Sequence, residues 1–469
     1  MGSDMQFHNP AERGAAAHDE TDGSDASPGL SARIKQFARE AGFELCGVAP
    51  VREFGELKIF PSWIAEGRHG EMKYMESRND AGNLKRANLA NAAPWARSVI
   101  VCAINYNSAQ PYSTQVDSSD SQGAGWISRY AWCREDYHDA VMRRLRAVEA
   151  QLRDLTHPEC VSQAEHEAGK AGRAGKVGEV GEAGFVSGHR FSDAASRMRS
   201  IAPSGAADSL SATPADSKMR ASAEPQAGEI QFRSYVDTGP LVERVYAKYA
   251  GVGWIGKNTC VINQELGSWF FLGVILTSLE ISGELPADLP APDRCGSCTR
   301  CITACPTQAI VAPGELDARL CISYLTIEKR GEIPEELRSG LGRHVFGCDI
   351  CQDVCPWNRK APITTAEEFQ PRAGLVNPRL EWLAGMQPEE FRETFRGSPL
   401  RRAKLSGLRR NAVIAMGNSG DEKFVPSLKA LMQDADPVVA EHARWALERK
   451  FADGTRRDAA GRVPTGKSE

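Results

Sequence analysis

Apolar positions recur along this chain at two spacings, and the switch between them divides it into elements. Over residues 32–41 they fall three and four apart, which predicts an amphipathic helix. Residues 44–49 and 98–104 are short apolar runs of strand length, and the second carries no charge, as a strand buried on both faces does. A helix is expected to start at Pro61 and run into the stretch Arg68 to Met75, and another to cover residues 139–154. Residues 232–237 predict a strand, 240–250 a helix and 269–279 an apolar strand. Residues 372–395 read as helical. From Leu400 the pattern becomes helix pairs over 400–416, 424–432 and 438–451, a cadence like that of a short HEAT-type repeat.

Three segments break the pattern. Residues 1–28 are polar with no apolar run, and 453–469 are polar as well. Residues 157–229 are rich in Ala, Gly, Ser and Glu, with only Phe185 and Phe191 as aromatics. Such a segment buries too little apolar surface to offset its ordering entropy, so it is expected to be a disordered insertion. The resulting division is a tail (1–28), an α/β core (29–285) interrupted by the insertion, a cysteine-rich domain (286–365), a helical region (366–452) and a second tail (453–469).

Composition narrows the class. The chain has 469 residues, 41% hydrophobic and 25% charged, with a net charge of -4. These values suit a globular protein and give no global attraction to nucleic acid, so any such binding needs a local patch. No apolar run is long enough to span a bilayer, and the first residues lack a signal-peptide core. Thirteen cysteines in a chain of this kind point to a reducing compartment, and a cytoplasmic location is expected.

The cysteines carry the strongest chemistry. Cys295, Cys298, Cys301 and Cys305-Pro306 form C-x2-C-x2-C-x3-C-P, the spacing of bacterial [4Fe–4S] proteins. Cys348, Cys351 and Cys355-Pro356 repeat it one cysteine short, with Cys321 between the runs. The fourth cysteine of such a run ligates the other cluster. Crossed ligation then assigns Cys295, Cys298, Cys301 and Cys355 to one cluster, and Cys305, Cys321, Cys348 and Cys351 to the second. Zinc sites and disulfides are the competing readings, but zinc motifs lack the CxxCxxxCP continuation. Cys46, Cys102, Cys133, Cys160 and Cys260 read as incidental or buried thiols.

Other motifs are less specific. Gly251, Gly253 and Gly256 satisfy G-x-G-x-x-G, but a helix precedes them and a strand-like run follows, the reverse of a dinucleotide site. They are expected instead to let backbone approach a bulky ligand. Asp136, next to a helix start, reads first as a helix N-cap. Residues 396–410 carry six basic side chains and no acidic one, a local anion site or a solvated helix face.

Together these stretches resemble the epoxyqueuosine reductase family. The resemblance rests on His69-Gly-Glu-Met-Lys-Tyr74, Arg129 to His138, Val236-Asp-Thr-Gly-Pro240, Gly253-Trp-Ile-Gly-Lys-Asn-Thr259, the cysteine runs, and Cys321 to Gly331. It implies an α/β cobalamin-binding core like that of reductive dehalogenases, a double [4Fe–4S] ferredoxin-like module and HEAT-like helices that hold tRNA. It also implies reduction of epoxyqueuosine to queuosine at the wobble position of tRNA, the last step of queuosine formation. By the same match, Asp136 is the proton donor, and the corrin is expected to raise its pKa and keep it protonated. Asn105, Tyr106, Asp237, Gly256, Lys257, Asn258, Ser323 and Asp349 are the implied cobalamin contacts. Lys329, Arg330, Arg401, Arg402, Lys404, Arg409 and Arg410 are the implied tRNA contacts. A monomer served by a separate electron donor is expected.

Two other functions compete. A reductive dehalogenase would share the clusters and the core, but not the basic helical C-terminus. A ferredoxin-type carrier would need neither the core before the clusters nor the Gly-Trp-Ile-Gly-Lys-Asn stretch.

Overall fold

The computed structural model describes residues 29–115, 123–156, 230–281 and 290–460. The expected insertion at 157–229, and Cys160 within it, lie outside them.

The α/β core is a four-stranded sheet, antiparallel throughout. Its order is Leu45–Pro50, Ser98–Asn105, Phe270–Thr277, Phe232–Tyr235. The two central strands are buried almost end to end, which accounts for their unbroken apolar runs. Side chains alternate between faces along each strand. Ile100, Cys102 and Ile104 therefore face one core with helices Leu30–Glu40 and Tyr137–Leu155. Val99, Val101 and Ala103 face a second core with helix Glu243–Tyr249. Helix Tyr137–Leu155 presents Val141, Leu145, Val148 and Leu152 to the sheet, one stripe of an amphipathic helix. Each such side chain contributes about 1.5–3 kcal/mol on burial. Gly273 makes the close approach possible, since a Cβ there would lie 2.9 Å from both Val141 and Leu145.

The C-terminal half packs around helices Lys404–Ser419, Val425–Leu431 and Pro437–Ala460. Helix Lys404–Ser419 is buried on most sides, with Leu408, Ala412, Val413, Ile414 and Met416 all inaccessible. Its core also takes in Trp126, Trp132, Ile322, Leu325, Val345 and Phe346. One continuous core thus crosses the boundary drawn from sequence at 365/366, and the cysteine loops and the terminal helices share it. Strand His344–Phe346 pairs in parallel with Trp126–Ile127, tying this half to the segment that leads into Asp136.

The single helical stretch expected over 372–395 is two short helices, Leu380–Gly385 and Pro388–Thr394. Pro388 is the reason: it disfavours helical backbone at the residue before it and suits the first turn of a new helix.

Candidate active site and cluster loops

Local structure brings the cysteines into two groups. Cys301 rides on the short helix Arg300–Ala304, and Cys351 on Ile350–Asp353. Cys305 and Cys355 follow in extended conformation, each held before a proline. Cys321 caps helix Ile322–Ile327. Cys295 and Cys298 act electrostatically on Cys301, and Cys295 and Cys301 act on Cys355. In the other group, Cys321 and Cys305 act on Cys348, while Cys348 and Cys321 act on Cys351. The last cysteine of each run therefore lies with the other run. Burial, then the neighbouring sulfurs, push the Cys355 thiol up to about 11. Among the described residues no three His, Cys, Asp or Glu side chains converge on a single metal ion.

Cys260 was not singled out by the sequence reading, because no spacing links it to the runs. It shares a hydrogen bond with Cys351 and lies within electrostatic reach of Cys321 and Cys355. Cys46 and Cys102 are a cross-strand pair with sulfurs 3.8 Å apart. Cys133 is buried and donates to the carbonyl of Tyr130 at 3.2 Å.

Asp136 caps helix Tyr137–Leu155, accepting the N–H of His138 at 3.0 Å on Oδ1. The same oxygen lies 2.8 Å from His138 Nδ1. A carboxylate only accepts, so that ring nitrogen carries the proton. The other nitrogen, Nε2, is 4.0 Å from Oδ2 of Asp237, beyond hydrogen-bond length, and that oxygen accepts the hydroxyl of Tyr137. The Tyr137 ring stacks between His138 at 4.0 Å and Phe271 at 4.4 Å. Asp237 has φ 56 and centres a γ-turn closed by Thr238 N–H to Val236 O at 2.7 Å. Burial pulls the Asp136 carboxyl upward, but the ring and N–H bonds from His138 more than offset it and hold the carboxyl below its usual value. The His138 contacts thus act on this carboxyl in the direction opposite to the one expected of a corrin.

Tyr74, Tyr130, Tyr137, Glu328 and Arg402 surround these carboxyls and act on one another electrostatically. Tyr130 also packs on Phe346, two residues before Cys348. Glu243, unremarked in the sequence, is raised to about 7 by burial and then by Asp237.

The residues proposed for a cofactor divide. Asn258 donates to the carbonyl of Cys351 at 3.4 Å, Lys257 Nζ reaches the carbonyl of Gly296 at 2.6 Å, and burial raises the Cys321 thiol against the opposing N–H groups of Tyr324 and Ser323. Tyr106 is buried against Trp269 and Phe271. Two side chains are already occupied. Asn105 bonds the carbonyl of Pro362 at 2.9 Å and the N–H of Asn107 at 2.8 Å. Asp349 is 1% exposed and accepts from Ser128, Trp126 Nε1 and the N–H of Arg129. Both are buried, and these bonds hold the neighbouring segments in place. The glycines also serve the chain's own packing. A Cβ at Gly253 would meet the carbonyl of Ile262 at 2.4 Å, and one at Gly256 would meet the Ile262 side chain at 2.5 Å. They let the hairpin Trp254–Ile255/Val261–Ile262 close on itself.

Comparison with known proteins bears on this arrangement. The family model 4Fe-4S double cluster binding domain matches residues 294–358. The model Epoxyqueuosine reductase QueG, DUF1730 matches residues 86–165, which include Asp136. Epoxyqueuosine reductase of Xanthomonas campestris is 35% identical over 419 residues, covering 89% of this chain and 95% of that protein. The chain belongs to the epoxyqueuosine reductase family. The Escherichia coli member is 32% identical, covering 90% of both chains. A solved epoxyqueuosine reductase, with an epoxyqueuosine-modified stem loop of tRNA-Tyr, superposes with a TM-score of 0.66 and 25% identity over 94% of this chain and 95% of that one.

Within this reductase-family fold the basic residues fall into three kinds. Arg401, Arg402 and Lys404 are exposed. Arg402 pairs with Glu328 and lies over the Tyr74 ring at 5.4 Å. Lys329 pairs with Glu71 at 2.5 Å, and Arg330 bonds the carbonyl of Arg402 at 2.8 Å. Arg409 pairs with Asp434 at 2.5 Å. Arg410 is 1% exposed, with its guanidinium on the carbonyls of Leu325, Lys329 and Gly331. It cannot touch phosphate. The sequence count of basic charge did not separate the inward-facing residue from its neighbours.

Proposed function

We propose that this chain reduces the epoxide of epoxyqueuosine in tRNA to the alkene of queuosine. Two [4Fe–4S] clusters, one on Cys295, Cys298, Cys301 and Cys355 and one on Cys305, Cys321, Cys348 and Cys351, would feed electrons to a cobalamin. The observation that carries this reading is the joint placement of Asp136 and the second thiol group, linked through Tyr130 and Phe346. An acid and an electron path thus open onto one site, as a reductive deoxygenation requires.

The residues present fit a cobalamin. Tyr74 is 44% exposed, and Asp237 is 54% exposed on a left-handed backbone within electrostatic reach of it, giving an aromatic face with a polar edge. Asp237, Gly256, Lys257, Asn258, Ser323 and Tyr106 would hold it, and when bound it supplies a low-potential cobalt centre for two-electron reduction. Asp136, once it takes up a proton, would pass it to the leaving oxygen, with the proton-bearing Nδ1 of His138 at 2.8 Å. The tyrosines exclude water from the face on which the nucleoside lies.

The helices from Lys404 onward would hold the tRNA in the manner of a HEAT-like repeat, with Arg401, Arg402, Lys404, Lys329 and Arg330 at its edge. No helix among the described residues is long and apolar enough to cross a membrane. A cytoplasmic monomer served by a separate reductant accords with the cysteine content and the tRNA substrate.

The test is anaerobic reconstitution with iron, sulfide and cobalamin, a strong reductant, and tRNA carrying epoxyqueuosine. The nucleoside should lose the mass of one oxygen. Asp136→Asn should slow conversion by about 100-fold or more while leaving cluster absorbance unchanged. Wild-type protein that binds both cofactors and converts nothing would refute the function.

A further inference from the structure

We propose that His138 is the proton relay that reloads Asp136 during turnover, with Asp237 as the solvent-facing end of the path. The proposal rests on the function given above. Its starting point is stoichiometry. Converting an epoxide to an alkene breaks two C–O bonds, forms one C=C bond, and consumes two electrons and two protons, the oxygen leaving as water. The electrons come from the reduced cofactors of the family reaction. A carboxyl at Asp136 holds one proton, so the second must arrive through the same position or past it.

The geometry supplies one path. His138 Nδ1 lies 2.8 Å from Asp136 Oδ1, and its Nε2 lies 4.0 Å from Asp237 Oδ2, too far for a direct hydrogen bond, so the proton enters at Nε2 from solvent beside that carboxylate. An imidazole is the side chain able to take a proton at one nitrogen and release one from the other. The side chains open outward in order, with Asp136 19%, His138 31% and Asp237 54% exposed. Asp237 is kept in place at a strained left-handed backbone by the Tyr137 hydroxyl, and Tyr137 holds the imidazole plane by stacking. The titratable and charged groups that face this path are Arg372 and Cys133 beside Asp136, Glu243, Tyr74, Tyr130 and Tyr137 around Asp237, and Arg402 beside Tyr137. His138 acts through Asp136, so it is a positioning residue rather than the donor to the substrate.

The test uses the reconstituted full-length enzyme with modified tRNA. His138→Asn keeps an N–H donor toward Asp136 but cannot pass a proton. Its kcat should fall about 100-fold with KM and cluster absorbance unchanged. Its rate should also drop about tenfold per pH unit from 6 to 8, because Asp136 must then draw protons from bulk water. His138→Ala should recover rate with added imidazole. Independently of turnover, the neutral-carboxyl infrared band lost in Asp136→Asn should appear at higher pH in His138→Ala than in wild type. Wild-type kcat and pH profile in His138→Asn, with wild-type conversion intact, would overturn the relay and leave the function standing. An unmoved infrared band would overturn it too. Failure of the wild type to convert would remove both.

Discussion

Asp349 accepts the backbone N–H of Arg129 at 2.8 Å. The loop between Cys348 and Cys351 is thereby fastened to the segment that runs from Trp126 to Asp136. Trp126 Nε1 and the Ser128 hydroxyl donate to the same carboxylate. Asp349→Ala leaves these donors buried without an acceptor, at about 1–3 kcal/mol each. The variant should lose about 4 kcal/mol of stability in urea unfolding, and a loss below about 1 kcal/mol would contradict the role.

The crossed thiol groups make a distinct claim for each cysteine. Cys321→Ala should remove the second cluster and Cys355→Ala the first. Each should lower bound iron from about eight to about four atoms per chain after reconstitution. If Cys355→Ala instead perturbs the centre that Cys321→Ala removes, as read by electron paramagnetic resonance, the crossing is wrong.

Arg410 and Arg401 separate packing from recognition. Arg410→Ala uncovers the carbonyls of Leu325, Lys329 and Gly331 inside the core and should cost about 3 kcal/mol of stability. Arg401→Ala and Lys404→Ala should leave the melting temperature within about a degree and weaken tRNA binding. Each should also reduce the salt slope of log K by about 1. Equal effects of Arg401→Ala and Arg410→Ala on both readouts would refute the division.

His442 sets a pH dependence with a definite sign. Its Nδ1 donates to the carbonyl of Val438 at 2.7 Å, and its Nε2 accepts the N–H of Ile333 at 3.2 Å. Protonating Nε2 would break the second bond, and burial pushes the pKa down to about 4. The unfolded chain binds this proton near pH 6.5 and the folded chain only near 4, so stability is lost as pH falls through that window. The loss is on the order of 3 kcal/mol. His442→Gln, which offers a donor and an acceptor without titrating, should show a smaller fall in melting temperature from pH 6.5 to 4.5. An equal fall would place the effect elsewhere.

Much of this was legible in one dimension. Strand 98–105 and the helix capped by Asp136 follow from local period and capping, because those signals are carried by adjacent residues. The cysteine runs were legible for the same reason: a loop of fixed spacing sets which sulfurs face together. The break at Pro388 rests on a local signal of the same kind.

What the chain order by itself determined is most of the strands and helices, the spacing of the cysteine runs and the family to which the chain belongs. Tertiary structure alone decided which polar groups remain available. Asp349, Asn105 and Arg410 have the composition of ligand contacts, yet residues far along the chain occupy their hydrogen bonds. Cys260 joins the thiols, and Asp237 meets His138, only because strands distant in sequence are packed together. Period and spacing report on neighbours within about a turn, whereas hydrogen-bond saturation and burial depend on what folds against a residue from elsewhere.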